Sequence, residues 1–230
     1  MAHVENQLIE LLPRADRVRL LAACERVQLV LSEVLQEPGT PTRHAYFPTD
    51  GFISMLAMSE GHPGVEVGMV GREGMVGANL ALGVGTANLR ALVQGAGGAW
   101  RISAASLKRE LAKSKSLQSG LNRYLHVLMG QLATSAACLR YHQIGPRLAR
   151  WLLMSQDRAG RDTFQVTQEF LAYMLGVRRV GITVAAGALQ RSGLIAYHRG
   201  DFTVLDRTGL EAAACSCYQS DRQTYAATVK

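Results

Sequence analysis

Between residues 166 and 195 the chain reads VTQEFLAYMLGVRRVGITVAAGALQRSGLI: two helix-patterned apolar runs, broken at Gly176 and followed at once by Arg178 and Arg179. A glycine there permits a positive φ without a Cβ clash, so the chain can leave one helix and turn sharply into a second. Leu171, Leu175, Val177 and Ile182 supply the apolar positions where two such helices face each other and a core, and Ala172 supplies the small residue at their closest approach. Thr167 precedes the first run, where its hydroxyl can cap free backbone N–H groups. Two β-type runs follow, around the Arg199, Gly200, Asp201 turn, and read as a hairpin beside the helices. The ordered set predicts a helix-turn-helix with a wing.

Upstream the chain changes character twice. After two short amphipathic helical patterns at 5–12 and 14–24, residues 27–102 carry β-type runs: VQLVLSEVL, HAYFP, GFISMLAM, VEVGMV, RALVQ and AWRIS. Turn-prone segments such as EPGTPT, PTDG, EGHPG and GAGG separate them, the pattern of a small antiparallel sandwich or roll. A long helical pattern then begins near Ser116, with Leu121, Leu125, Leu128, Leu132, Ser135 and Leu139 at alternating steps of four and three. That 3.5-residue period makes a narrow apolar seam, the geometry of two supercoiled helices, although a helix packed on its own β domain also satisfies it. The expected organisation is α+β: an antiparallel β-roll over 1–115, a dimerisation helix over 116–142 and a winged helix-turn-helix over 143–230.

Composition narrows the partners. With 48% hydrophobic and 19% charged residues the chain is too apolar for disorder, and no apolar run approaches the ~20 residues of a membrane span. The amino terminus MAHVENQLIE lacks a signal-peptide pattern, so a cytoplasmic protein is expected. The formal charge is +7, and residues 143–230 hold 11 basic against 7 acidic side chains, which favours an anionic partner at the C-terminal end.

The order of these parts, with YFPTDGFIS and VGMVGREGMVG looking like β-roll segments, resembles the Crp/Fnr family of bacterial transcription regulators over nearly the whole chain. The resemblance implies a cyclic-nucleotide-binding-like sensor and a homodimer on a two-fold related double-stranded operator. RNA polymerase is the further partner it implies. It makes Thr167 a phosphate contact and Arg179 a reader of guanine, within a DNA-binding set of Thr167, Gln168, Arg178, Arg179, Thr183, His198 and Arg199. Val180 and Val184 stand where relatives carry a glutamate and a second arginine. Neither can accept from cytosine or grip guanine, so a different half-site is expected.

In cyclic-nucleotide-binding relatives a Gly-Glu pair holds the ribose and an Arg-Ser pair holds the phosphate. This chain has Glu73 and Gly74 in reversed order, Ala87 and Asn88 at the phosphate positions, and Arg90 as a shifted substitute. Glu73, Gly74, Asn88 and Arg90 are therefore the candidate effector residues; the effector is unidentified, and cyclic AMP is not the expected one. The competing reading is that GREGMVG is a tight β-roll turn.

No metal or other cofactor is expected. Cys24 stands alone in its part of the chain, the six histidines show no ligand spacing, and Cys215 and Cys217 would diverge by about 200 degrees on one helix. No nucleophile elbow, P-loop, HExxH motif or paired carboxylates argue for an enzyme. The rival class is a sensor or scaffold that binds protein partners without reading DNA.

Overall fold

The computed structural model of the protein describes residues 6–198 and 200–229. Two short helices, α1 (Gln7–Glu10) and α2 (Arg14–Ala22), precede the strands β1 (Glu25–Leu29), β2 (Val34–Gln36), β3 (His44–Pro48), β4 (Phe52–Ser59) and β5 (His62–Val70). A 3-10 turn (Ala78–Leu82) then leads to β6 (Arg90–Gly95) and β7 (Gly97–Ser103). The strands form two antiparallel sheets, ordered β1-β7-β3 and β2-β6-β4-β5. Along β6 every second residue turns inward, and Ala91 and Val93 join Leu29, Ile53, Met55 and Val70 between the sheets. This is the expected antiparallel roll, with one change. The run 27–35 is two strands, because Ser32 takes a φ of 68° and Glu33 N donates to Val30 O, so β1 and β2 enter different sheets.

Helix α3 (Ala104–Lys113), unmarked in the sequence pattern, is capped by Ser103 Oγ accepting from Ser106 N. Ser114 Oγ caps α4 (Lys115–Tyr141) in the same way, through Leu117 N. The face of α4 that turns into its own chain carries Leu117, Leu121, Tyr124, Val127, Ser135 and Cys138. The expected seam is therefore divided: Leu121 and Ser135 point inward and Leu128 packs on the roll, while Met129, two-thirds exposed, lies on the outer face. The reading of the period as a helix packed on its own β domain is met by this inner face.

The remaining elements are α5 (Ile144–Ala159), β8 (Thr163–Gln165), α6 (Gln168–Met174), α7 (Arg179–Arg191), β9 (Ile195–His198), β10 (Asp201–Val204), α8 (Arg207–Ala213) and α9 (Cys217–Thr228). The third sheet, β8-β10-β9, is the wing. Residues 143–230 do not stand apart as one body. Helix α9 returns along α4, and Tyr225 Oη donates to Glu73 O at 2.8 Å and to Gln7 Oε1 at 3.0 Å. The apolar core is also continuous across the junction: Phe52 and Met69 of the roll belong to the cluster built on Trp151, Leu152, Phe164, Leu171, Ile182 and Phe202.

Gly74 sits where this packing is tightest. A Cβ there would lie 2.3 Å from the hydroxyl of buried Tyr124 on α4. Replacing Gly74 by Ala should lower stability by about 1–3 kcal/mol through overpacking, read as a shifted urea midpoint. An unchanged midpoint would show that the Tyr124 contact is not constrained.

Candidate nucleic-acid interface

Helices α6 and α7 meet at a bend of 109°, the range in which one helix can lie in a groove while the other crosses above it. The corner is set by hydrogen bonds. Gly176, at φ +60°, donates to Tyr173 O and Val177 donates to Ala172 O, which closes α6 with a Schellman pair. Arg147, buried on α5, adds a third tie by donating to the Leu175 carbonyl at the end of α6. At the other end of α6, Thr167 Oγ1 accepts from Phe170 N at 3.1 Å, as its capping position requires.

The two faces of α7 are sharply unlike. Ile182, Ala185, Ala186 and Leu189 are buried against α5 and α6, while Arg179, Val180, Thr183 and Val184 project outward from the first two turns. Val180 is 66% exposed and Val184 is 64% exposed, an apolar pair with nothing of this chain over it. Arg178 is the N-cap residue and makes no side-chain cap bond, so its guanidinium is not spent on holding the helix. Thr183 Oγ1 donates to Gln168 Oε1 at 2.6 Å, which fixes α7 against the start of α6. Gln168 and Thr183 thus meet across the corner, while Thr167, Arg178 and Arg179 are exposed at the starts of its two helices. His198 is exposed on β9 opposite Asp201, and Arg199 lies outside the described residues.

Thr167 also faces the roll. With Phe170, Val166 and Gly200 it walls a cleft of about 390 Å³ whose other side is Leu31, Ser32 and Gln94. On another side of the junction, facing Arg150 and Trp151 of α5, Glu66 of β5 accepts from Ser54 Oγ. Burial pushes its carboxyl up to about 7, against the pull of that hydrogen bond and of Arg150 and Arg158.

The four candidate effector residues do not share a cavity. Glu73 pairs with Arg158 of α5 at 2.8 Å and accepts from Gly71 N, so with Gly74 it belongs to the junction between roll and C-terminal helices. Arg90 pairs with Glu37 at 2.9 Å, and Asn88 is exposed on the loop before β6.

The cysteines correct another sequence expectation. Cys215 lies before α9 and Cys217 opens it, so no helical rotation separates them, and both converge with Cys138 and His142 at the end of α4. The sequence signal was Cys138-x3-His142, one helical turn, read together with Cys215-x-Cys217. Arg147 gave no signal beyond being one of many arginines.

Residues 146–213 match the family model of the Crp-like helix-turn-helix domain. The chain carries a Crp-like helix-turn-helix domain. The match covers α5, the corner and the wing, and stops before α9. Among solved structures, FixK2 from Bradyrhizobium japonicum superposes with a TM-score of 0.71 at 12% identity, covering 84% of this chain and 98% of that one. A CRP-family transcriptional regulator from Thermus thermophilus gives 0.65 at 21% identity, over 82% and 96%. The c-di-GMP responsive global regulator CLP of Xanthomonas campestris gives 0.61 at 19%, over 84% and 99%. No curated protein matches the sequence significantly. Over most of its length the chain shares the fold of these solved structures, and the helix-turn-helix domain is the part that matches a family model. Among the described residues no single helix is long and apolar enough to cross a membrane.

Proposed function

We propose that the chain works in the cytoplasm as a homodimer, by binding rather than catalysis, placing the first turns of α7 in successive major grooves of a two-fold related operator and responding through its roll to an unidentified small molecule. The observation that carries this reading is the two-faced α7, whose buried side is locked into the core while Arg179, Val180 and Val184 are exposed at its amino-terminal end. In that position Arg179 pairs with guanine O6 and N7, and the helix amino terminus with Thr167 holds phosphates. His198, at the end of β9, adds a phosphate contact that positions without specifying, the role the sequence also gives to Arg199. Val180 and Val184 offer only apolar contact, suited to thymine methyl groups. RNA polymerase is the partner through which such a complex alters transcription.

Selection from randomised double-stranded DNA tests the reading. Arg179→Ala should weaken the selected site by about 1–3 kcal/mol and relax one base pair per half-site, leaving the rest of the preference intact. Wild-type base preferences with a uniform loss of affinity would remove α7 from the groove.

The dimer surface is the outer face of α4, where Met129 and Tyr141 are exposed and Leu132 is half-buried. Met129→Asp places a charge there without touching the inward face, and sedimentation should then show monomers. A dimer unchanged in that variant would refute α4 as the contact.

Cyclic AMP is not the ligand this roll suits, because Arg90 is held by Glu37 and Glu73 by Arg158 rather than in one anion cradle. Titration calorimetry should show no tight binding. Micromolar binding lost in Arg90→Ala would make Arg90 the phosphate clamp after all.

A further inference from the structure

Cys138 on the last turns of α4, His142 at its C-cap, Cys215 after α8 and Cys217 at the start of α9 place one ligand atom each within 4.8 Å of all the others. We propose that these four side chains form a tetrahedral site for a single divalent ion of the zinc class, which clamps the hinge between α4 and the helix-turn-helix domain.

The distances suit one ion. Cys138 Sγ and Cys215 Sγ are 3.6 Å apart, and Cys217 Sγ is 3.5 Å from His142 Nδ1. Tetrahedral bonds of about 2.3 Å to sulfur and 2.0 Å to nitrogen separate two sulfurs by about 3.7 Å, and a sulfur from a nitrogen by about 3.5 Å. The two measured pairs are thus already at the lengths of opposite edges of such a tetrahedron, and the remaining pairs, within 4.8 Å, would close by up to about 1 Å on binding. A disulfide would instead require two sulfurs at about 2.05 Å and would leave the histidine and the third thiol without a role.

Three cysteines with one histidine is a donor set of structural zinc sites, supplied here as two pairs by a helix end and a tight turn. The three thiols are buried and His142 is half-buried, which leaves the imidazole side as the route of entry. Three thiolates around a doubly charged ion leave one net negative charge. The guanidinium of Arg150 lies in electrostatic range of Cys138 and Cys215, and it is itself fixed by Asp221 of α9 at 2.7 Å.

Position gives the site its consequence. His142 ends the dimer helix, α5 begins two residues later, and Cys215 N donates to Pro146 O inside the first turn of α5. An ion held here joins α4 and α9 across the entry to the DNA-binding domain, and it fixes the direction in which α5 carries the corner. Only this consequence rests on the DNA-binding reading; the site itself does not.

The full-length reduced protein, stripped with a chelator and titrated with cobalt(II), should take up about one ion per chain with the intense visible bands of tetrahedral thiolate coordination. Zinc should displace the cobalt stoichiometrically. Cys138→Ser and His142→Ala should each weaken cobalt binding by at least about ten-fold while Cys24→Ser leaves it unchanged, and circular dichroism should confirm that the variants keep their helices. Octahedral or absent cobalt bands in the wild type, iron with labile sulfide in the isolated protein, or a Cys138–Cys215 disulfide formed in place of metal uptake would each overturn the single-ion site. Mobility shift with and without zinc reads the clamp separately. If zinc binds but DNA affinity does not move, the site stands and its control of the hinge falls.

Discussion

Trp151 of α5 packs edge-to-face on Phe52 of β4 and on Phe164 of β8, with ring centroids 6.5 Å and 6.3 Å apart. One indole thus touches the β-roll on one side and the wing sheet on the other. Aromatic pairs of this geometry contribute about 0.5–1.5 kcal/mol each beyond the area they bury. Their larger effect is geometric, because a close-packed core transmits small displacements instead of absorbing them.

The polar contacts of α5 extend the same coupling. Arg158 reaches Glu73 of the roll, Arg150 reaches Asp221 of α9, and Arg147 reaches the Leu175 carbonyl that ends α6. A single helix is therefore tied to the roll near its C-terminal end and to the C-terminal helix and the corner before α7 near its start. Glu73 of the roll and the Leu175 carbonyl before α7 are thus held by the same helix, through charge-assisted contacts. The buried carboxyl of Glu66 adds a group in that interface whose ionisation burial opposes.

The corner was legible because its determinants are local: Gly176 for the positive φ, Thr167 for the cap and the apolar spacing for the packing are all encoded within a few residues. The strands were legible by their alternation, although Ser32 broke one run by taking a left-handed turn that a serine rarely signals. The long helix showed its period, yet the period could not say which face met the chain's own roll and which was left over. What stayed hidden is long-range. Glu73 and Gly74 looked like ligand residues and are packing and ion-pair residues at the junction. The convergence of Cys138 and His142 with Cys215 and Cys217 depends on α9 folding back along α4, which no short window of sequence encodes.

The roll contributes Phe52 and Met69 to the core built on α5, and the ties described above depend on that shared cluster. Differential scanning calorimetry of the full-length chain tests that claim most directly, since a shared core unfolds cooperatively. A single endotherm is expected, with calorimetric and van't Hoff enthalpies that agree for one cooperative unit. Two resolved transitions, with the helix-turn-helix domain melting independently of the roll, would contradict it.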